Sequence, residues 1–562
     1  MIKKNRSNKL RLKLSQINFT VGDLDGNCQK IINSFEESKN EADLIIFSEL
    51  AVTGYFPEDL LYKNYFIDAS NEKIKELIAA TQDSNCAILV GAPYQITNKH
   101  NKKLLYNAAF LIRKGEIEKI ICKNILPNYS VFDEQRYFTA DMILSVVEFD
   151  GLKLAILICE DIWSNKNAFL LADKNIDGII SINASPFFAS KAELRLETVR
   201  KFVQNINKPV IYVNQIGGQD SIVFDGGSFV LNEDGQVVLK MAEFQEDSAL
   251  ITLDQYKISV NSNHKNYTSK IENRLYEASV LALRDYIHKN GFEKIVIGMS
   301  GGIDSALVAA IAVDALGNAK GDNKVKLVAL PSKYNSSSSL NDALEMAKNL
   351  GINLDQISIE PTLNAMLASL SNQFLGTNPG IAEENIQSRI RGNLLMAIAN
   401  KFGYLLITTG NKSEMATGYA TIYGDMCGAF NPIKDLYKTQ IFKLAKWRNN
   451  NIPQISLYPK TNLIPENIIS KEPSAELREN QKDSDSLPDY EILDQILLNL
   501  IEEEKSVEQI INLGFDENIV KKVAKLFYSS EYKRKQAAIG PKLSKMSFDK
   551  ERRYPITNKF WS

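Results

Sequence analysis

A chain of 562 residues exceeds what one hydrophobic core sustains, so at least two domains are expected. Its 44% hydrophobic and 24% charged residues are an ordinary globular mix, and a formal net charge of −2 gives no support for nucleic acid or an anionic membrane as the main partner. No apolar run is long enough to cross a bilayer, and the basic N-terminus leads into the strand-like alternation of Leu10, Leu12 and Leu14 rather than a signal-peptide core.

Cys28, Cys86, Cys122, Cys159 and Cys427 are scattered and form no CxxC pair, which fits a reduced cytoplasmic setting and no structural zinc. The three histidines, His100, His264 and His288, stand beside no candidate nucleophile. Acid–base chemistry therefore falls to Glu, Asp, Lys or Tyr.

In chain order, "ADLIIFSE" (42–49), "CAILVGAP" (86–93), "LKLAILICE" (152–160), "DGIISINAS" (177–185) and "KPVIYVNQIG" (208–217) read as short buried strands. Helix-compatible segments such as "NEKIKELIAATQ" lie between some of them, which predicts an α/β layered domain over 10–255. A polar linker is expected over 256–272. A second α/β series over 273–562 carries strands "KIVIGMS" (294–300), "KVKLVALPS" (324–332) and "YLLITTGN" (404–411), then a tail without strand pattern in which 489–503 and 516–530 read as helices.

The stretch "IGMSGGIDSAL" (297–307) ends a strand, turns through Gly and Ser, and opens the helix "DSALVAAIAVDAL". Backbone N–H groups and a helix N-terminus favour an anion there, and Ser300 and Ser305 add hydroxyls. A Walker-type loop would place a lysine here to clamp the β- and γ-phosphates. Asp304 instead suits Mg²⁺ on a released pyrophosphate, hence cleavage between the α- and β-phosphates. The plainer reading is a Gly-rich turn with Asp304 as a helix cap.

In the first half, Glu49, Lys123 and Cys159 each lie just past the carboxyl end of a predicted strand, where sites form in α/β layers. A Lys123 ammonium would favour the Cys159 thiolate, and Glu49 can carry the thiol proton to a leaving ammonia. Lys123 can also stabilise a tetrahedral oxyanion. Taken singly, Cys159 reads as a core cysteine and the other two as surface charges.

The loop over 298–305 resembles the pyrophosphatase loop of the N-type ATP pyrophosphatases. "EENIQSRIRGNLLMAIAN" (383–400), "TTGNKSEMATGYATIYGDMCGAFNPIKDLYKTQ" (408–440), "KEPSAEL" (471–477) and "EYKRKQ" (531–536) resemble NAD synthetases among them. The resemblance implies ATP binding by Gly298, Met299, Ser300, Gly301, Gly302, Ile303, Asp304, Ser305 and Thr409, with Lys438 and Ser474 as further ATP-side candidates. It implies Mg²⁺ on Asp304 and Glu414, and deamido-NAD against Asn385, Glu414 and Lys533. Arg389 and Arg391 suit a doubly anionic dinucleotide. One departure is Asn335 in "PSKYNSSSS" (331–339), where a serine is expected.

"FSELAVTGYFPEDL" (47–60), "KNILPNYSVFDEQRYF" (123–138) and "ICEDIW" (158–163) resemble the nitrilase, or carbon–nitrogen hydrolase, family. That resemblance makes Glu49, Lys123 and Cys159 the triad and Glu134 a supporting carboxylate, and it places glutamine against Tyr129, Ser185 and Lys191. It implies an N-terminal α-β-β-α layered domain followed by a Rossmann-like parallel-sheet domain with a helical tail.

A nitrilase-like half before an NAD synthetase-like half is the arrangement of the glutamine-dependent branch. Its reaction would adenylate the nicotinate carboxylate of deamido-NAD with ATP and Mg²⁺. Ammonia from glutamine, travelling inside the protein, would then give NAD, glutamate, AMP and pyrophosphate. Partners would be these small molecules and further copies of the chain in a homo-oligomer, with neither nucleic acid nor membrane. Two alternatives stand beside it: an amidotransferase with the same adenylating loop and another substrate, or an ammonia-dependent synthetase whose first half is structural.

Overall fold

The computed structural model describes residues 9–255, 257–261, 270–318, 324–479 and 481–560. The chain divides into two compact units, residues 1–219 with 223–269 and residues 220–222 with 270–562.

The strands of the first unit are β1 (Lys9–Gln16), β2 (Leu44–Ile46), β3 (Ala87–Thr97), β4 (Lys103–Arg113), β5 (Glu116–Cys122), β6 (Val146–Phe149), β7 (Leu152–Ile158), β8 (Gly178–Asn183), β9 (Val210–Asn214), β10 (Ile216–Gln219), β11 (Ile222–Asp225), β12 (Phe229–Leu231), β13 (Val237–Lys240), β14 (Asp247–Asp254) and β15 (Lys257–Val260). Its helices are α1 (Leu24–Ser38), α2 (Asn64–Ala80), α3 (Asn165–Ala172) and α4 (Lys191–Ile206). One sheet has the order β15-β14-β1-β2-β3-β4-β5 and a second β13-β12-β9-β8-β7-β6, while β10 and β11 pair by themselves.

Strand alternation creates the layers. Leu10, Leu12, Leu14, Leu44, Ile46 and Leu89 of the first sheet share a core with Leu154, Ile156, Ile158, Ile180 and Ile182 of the second. The opposite faces bury Ile45, Ile88 and Val90 against Ile31, Phe35, Ile74 and Leu77 of α1 and α2. Ala155, Leu157 and Ile179 pack against Val199, Phe202 and Val203 of α4. The result is the α-β-β-α order expected.

The expected linker over 256–272 is corrected at both ends. Residues 257–260 form β15, because Ile258 and Val260 pack on the inter-sheet core, and a helix begins at Ile271. Residues 256 and 262–269 of that segment lie outside the described residues.

In the second unit β16 (Ile295–Gly298), β17 (Val325–Ala329), β18 (Leu354–Gln356) and β19 (Leu405–Ile407) form one sheet of order β18-β17-β16-β19, parallel throughout. The chain runs outward from β16 to β18 and then returns to the other side of β16. The crevice beyond the carboxyl ends of β16 and β19 is thus a topological switch point, the usual ligand position in such sheets. The helices in order are α5 (Ile271–Lys289), α6 (Ile303–Leu316), α7 (Ser337–Leu350), α8 (Glu360–Leu370), α9 (Ile381–Phe402), α10 (Lys412–Thr417) and α11 (Lys438–Asn450). α6 is apolar on all sides and buried along nearly its whole length. Helices over Tyr490–Ile501 and Glu517–Ser529 bury Leu493, Leu497, Val520 and Phe527 in a core of their own, with Met415 and Ala416 of α10. Among the described residues no helix is long and apolar enough to cross a membrane.

A buried ion pair ties α6 to α11. Arg448 donates from Nε to Asp314 Oδ2 at 2.7 Å and from Nη2 to Oδ1 at 2.9 Å, and the Tyr276 hydroxyl donates to the same carboxylate at 2.7 Å. Both charged side chains are fully buried. Arg448→Ala strands the Asp314 charge and is expected to destabilise this unit by about 3–5 kcal/mol. A urea-unfolding transition of this unit shifted by less than about 1 kcal/mol would contradict that.

Candidate active sites

In the first unit β2 stops at Ile46 and the chain turns, leaving Glu49 at the carboxyl end of the sheet. The turn lies against β3 at Gly91, where a Cβ would come within 2.2 Å of the Leu50 nitrogen, so only glycine fits. β5 delivers Lys123, β7 delivers Cys159, and a short 3₁₀ turn over Glu134–Arg136 delivers Glu134. Cys159 opens another 3₁₀ turn with φ of +47°.

These ends converge. Lys123 Nζ lies 2.6 Å from Glu49 Oε1 and 2.8 Å from Glu134 Oε1, and all three side chains are wholly buried. Glu49 also accepts from Asn107 Nδ2 at 2.7 Å and from the Ala184 N–H at 3.0 Å. The Tyr55 hydroxyl donates to Glu134 at 2.7 Å. One ammonium shared by two carboxylates is the outcome that burial of three ionisable groups demands. Burial works against the Lys123 charge, but Glu134 and Glu49 outweigh it and hold the ammonium pKa well above its usual value. Burial lifts the Glu134 carboxyl above the ordinary range.

The pull of Lys123 toward the Cys159 thiolate, expected from the sequence, is present but is not the largest influence on the thiol. Burial, followed by the Glu49 charge, raises the thiol pKa well above its ordinary value, and the opposing pull of Lys123 does not compensate. Burial and the Glu49 charge thus favour the protonated thiol, and Glu49 is the carboxylate beside it.

Two of the three expected glutamine residues, Tyr129 and Lys191, contact the turn that Cys159 opens, and Glu160 joins them. Both carboxylate oxygens of Glu160, the residue after the nucleophile, accept from the half-exposed Tyr129 hydroxyl at 3.0 Å. Lys191 lies with its ammonium 4.1 Å from the Trp163 ring centroid. Burial lowers its pKa to about 8, with Cys159 and Glu160 acting in the opposite direction. Ser185 is buried and fixed through its N–H, which donates to Asn214 Oδ1 at 2.9 Å. Glu160, Tyr55 and Asn107 were not singled out in the sequence. Only the adjacency of Glu160 to Cys159 could have pointed to one of them.

In the second unit the turn after β16 is held by its own serines. The Gly302 N–H donates to Ser300 Oγ at 3.1 Å, and Ser305 Oγ donates to the Gly302 carbonyl at 3.0 Å. Gly301 has φ of +80°, and a Cβ there would come within 2.1 Å of the Ser339 carbonyl oxygen. Gly298, Met299 and Ile303 complete the strand–turn–helix passage, and Thr409 lies in the neighbouring loop after β19.

A lysine does reach this turn, from α11. Lys438 Nζ stands 2.5 Å from Asp304 Oδ2 and 3.8 Å from Glu414 Oε1, and Asn411 Nδ2 donates to Asp304 Oδ1 at 3.1 Å. Burial opposes the Lys438 charge, but Asp304 and Glu414 raise its pKa overall. Burial, then the Asp304 charge, holds Glu414 well above the carboxylate range. Asp483, buried and bonded by the Tyr490 hydroxyl at 2.8 Å, adds a further carboxylate whose charge acts on Lys438. Among the described residues no set of three or more His, Cys, Asp or Glu side chains could hold a metal by itself. Two carboxylates completed by phosphate oxygens and water are nevertheless the normal Mg²⁺ donor set. Asp304 and Glu414 fit that set, because a divalent cation would offset the Asp304 charge that adds to burial in holding Glu414 high.

Two of the dinucleotide candidates, Asn385 and Lys533, bond to the loop after α10, whereas Glu414 lies within α10 itself. Asn385 Oδ1 accepts from Thr421 Oγ1 at 2.8 Å, and Lys533 Nζ donates to the Gly418 and Ala420 carbonyls at 2.8 Å each. Arg389 and Arg391 do not act as a pair. Arg389 Nε donates to the Ile422 carbonyl at 3.2 Å. Arg391 is directed to the segment after β17, donating to the Leu330 carbonyl at 3.0 Å and to Asn335 Oδ1 at 3.2 Å. Asn335 in turn donates to Glu476 at 2.9 Å, a bridge from α9 that a shorter serine could not span. Ser474 lines a cavity of about 570 Å³ with Lys333, Ser336 and Lys471.

The carbon–nitrogen hydrolase family model matches residues 11–260 and the NAD synthase family model residues 275–537. A glutamine-dependent NAD(+) synthetase of Acinetobacter baylyi is 41% identical over 561 residues, covering 98% of each chain. One from Aquifex aeolicus is 41% identical over 584 residues, covering 98% of this chain and all of its own. The solved glutamine-dependent NAD+ synthetase of Acinetobacter baumannii, in complex with adenosine diphosphate, superposes with a TM-score of 0.76 at 38% identity, covering 98% of this chain and 99% of that one. With both halves matched in order and relatives alike over nearly their full length, the chain belongs to the glutamine-dependent NAD(+) synthetase family.

Proposed function

We propose that residues 10–260 form the glutaminase domain and residues 271–562 the synthetase domain, and that Glu49, Lys123, Glu134 and Cys159 do the work of the first. Glutamine is held by Tyr129, Ser185 and Lys191, with Glu160 facing its α-ammonium. Glu49 takes the thiol proton as Cys159 Sγ attacks the amide carbon. Lys123 neutralises the oxyanion, and Glu49 returns the proton to the departing ammonia, leaving a thioester that water opens to glutamate. The observation that carries this reading is the fully buried Lys123 ammonium shared between two carboxylates beside a buried thiol. Such a group adds little or nothing to stability, which marks it as a candidate for chemistry.

In the second domain Gly298 to Ser305, Thr409, Lys438 and Ser474 bind ATP, and Asn385, Glu414 and Lys533 bind deamido-NAD. Asp304 and Glu414 would hold Mg²⁺, which when bound neutralises charge on the leaving pyrophosphate. Lys438 sits where it can move from Asp304 to a phosphate oxygen. The nicotinate carboxylate displaces pyrophosphate from the α-phosphorus, and ammonia then displaces AMP. The family resemblance further implies a cytoplasmic homo-oligomer. With deamido-NAD present, ATP should yield AMP and pyrophosphate, and labelled pyrophosphate should exchange into ATP without any nitrogen donor. ADP and phosphate as products would overturn this assignment.

Lys191 gives a pH test. Its lowered pKa of about 8 means it loses its charge as pH rises through that value. A neutral Lys191 cannot hold the glutamine carboxylate, so KM for glutamine is expected to climb above about pH 8 in the wild type and to stay flat in Lys191→Met. The same rise in both proteins would remove Lys191 from glutamine binding.

A further inference from the structure

Asp161 lies two residues past Cys159 and is buried. Its Oδ2 accepts the N–H of Ile158, the residue before the nucleophile, at 3.1 Å. Its Oδ1 accepts the N–H groups of Asn124 at 3.1 Å and Ile125 at 2.8 Å, the two residues after Lys123. One carboxylate therefore ties the strand end that carries the thiol to the segment that carries the ammonium. Asn167 of α3 fixes Asp161 itself, donating from Nδ2 to its backbone carbonyl at 2.9 Å. The need for such a tie is visible at Cys159. Its φ of +47° is a left-handed conformation that costs an ordinary residue about 1–2 kcal/mol and persists only where the surroundings impose it.

We propose that Asp161 is a positioning residue for glutamine hydrolysis, keeping the left-handed turn of Cys159 in register with Lys123 so that thiol and ammonium meet the same amide carbonyl. It touches no reacting atom. The proposal rests on the glutaminase reading given above. Burial raises the Asp161 pKa to about 7 against the pull of Lys123 and the three N–H groups, and it is the ionised carboxylate that presents acceptors in both directions. In Asp161→Asn the amide NH₂ would face either the Ile158 N–H or both the Asn124 and Ile125 N–H groups, donor against donor, and one of the two segments would be released.

The test uses the full chain, with NAD formation measured from deamido-NAD and ATP and supplied with glutamine or with ammonium chloride. In Asp161→Asn, kcat with glutamine is expected to fall by ~30- to 100-fold, the scale of an ångström-level misplacement of a catalytic group. KM for glutamine and the ammonium-driven rate should stay close to wild type. Asp161→Ser, which leaves room for a water as substitute acceptor, should show the same split with a smaller loss. A glutamine kcat unchanged in both variants overturns the proposal. So does a parallel loss with both nitrogen donors, which would make Asp161 a residue of general folding. Cys159→Ala, run alongside, sets the floor for glutamine-driven synthesis. If that floor equals the wild-type rate, it is the glutaminase reading that fails.

Discussion

Cys159→Ala is expected to lose at least ~10³-fold in NAD synthesis driven by glutamine, the scale seen when a covalent nucleophile is removed. The ammonium-driven rate should be retained. The size of the loss follows from how little else in the glutaminase site can attack an amide. Lys123 is engaged by two carboxylates at 2.6 and 2.8 Å and has no lone pair to offer. Glu49 is held by Lys123, Asn107 and the Ala184 N–H. Neither side chain can substitute for the thiol. The change removes a small, buried group at the end of β7 and leaves the Glu49–Lys123–Glu134 charge balance untouched, so the unit should remain folded. Retained glutamine-driven synthesis would mean that the nitrogen is released elsewhere.

Asp304→Asn is expected to depress synthesis with either donor by ~10³-fold, equivalent to about 4 kcal/mol of transition-state stabilisation. Two losses combine. On the proposed assignment, Mg²⁺ would lose one of its two protein carboxylates. Lys438, which is nearly fully buried, loses the partner 2.5 Å away and falls back on Glu414 at 3.8 Å. A lysine drawn toward Glu414 would be lost to the proposed ATP contact, and a lone carboxylate would hold a metal poorly. Pyrophosphate exchange should fall in parallel, because the defect precedes amidation. A loss confined to the glutamine-driven reaction would contradict this account of the second site.

The features legible in the sequence were those written in local order. The strand–Gly/Ser turn–helix over 294–316 and the residues just past β2, β5 and β7 are each encoded within a few positions, and the folded chain places them as expected. Contacts between distant segments were less legible. Lys438 was a minor candidate because nothing near it in the chain signals that α11 returns to the turn after β16. The sequence displays Lys123 and Cys159 but not the burial that acts against the thiolate. Arg389 and Arg391 look like a pair in text, yet two positions on a helix differ by about 200°, so they diverge. β15 was hidden by the polar residues around Ile258 and Val260, since an edge strand needs only one apolar face.

The most direct test of the account is to follow the nitrogen. The enzyme would be given deamido-NAD, ATP, Mg²⁺ and glutamine labelled with ¹⁵N in its amide, together with unlabelled ammonium, and the NAD product analysed by mass spectrometry. The account predicts NAD carrying the label in its carboxamide, accompanied by glutamate, AMP and pyrophosphate, with the label absent when Cys159→Ala is used. Wild-type NAD that carries only unlabelled nitrogen would contradict it.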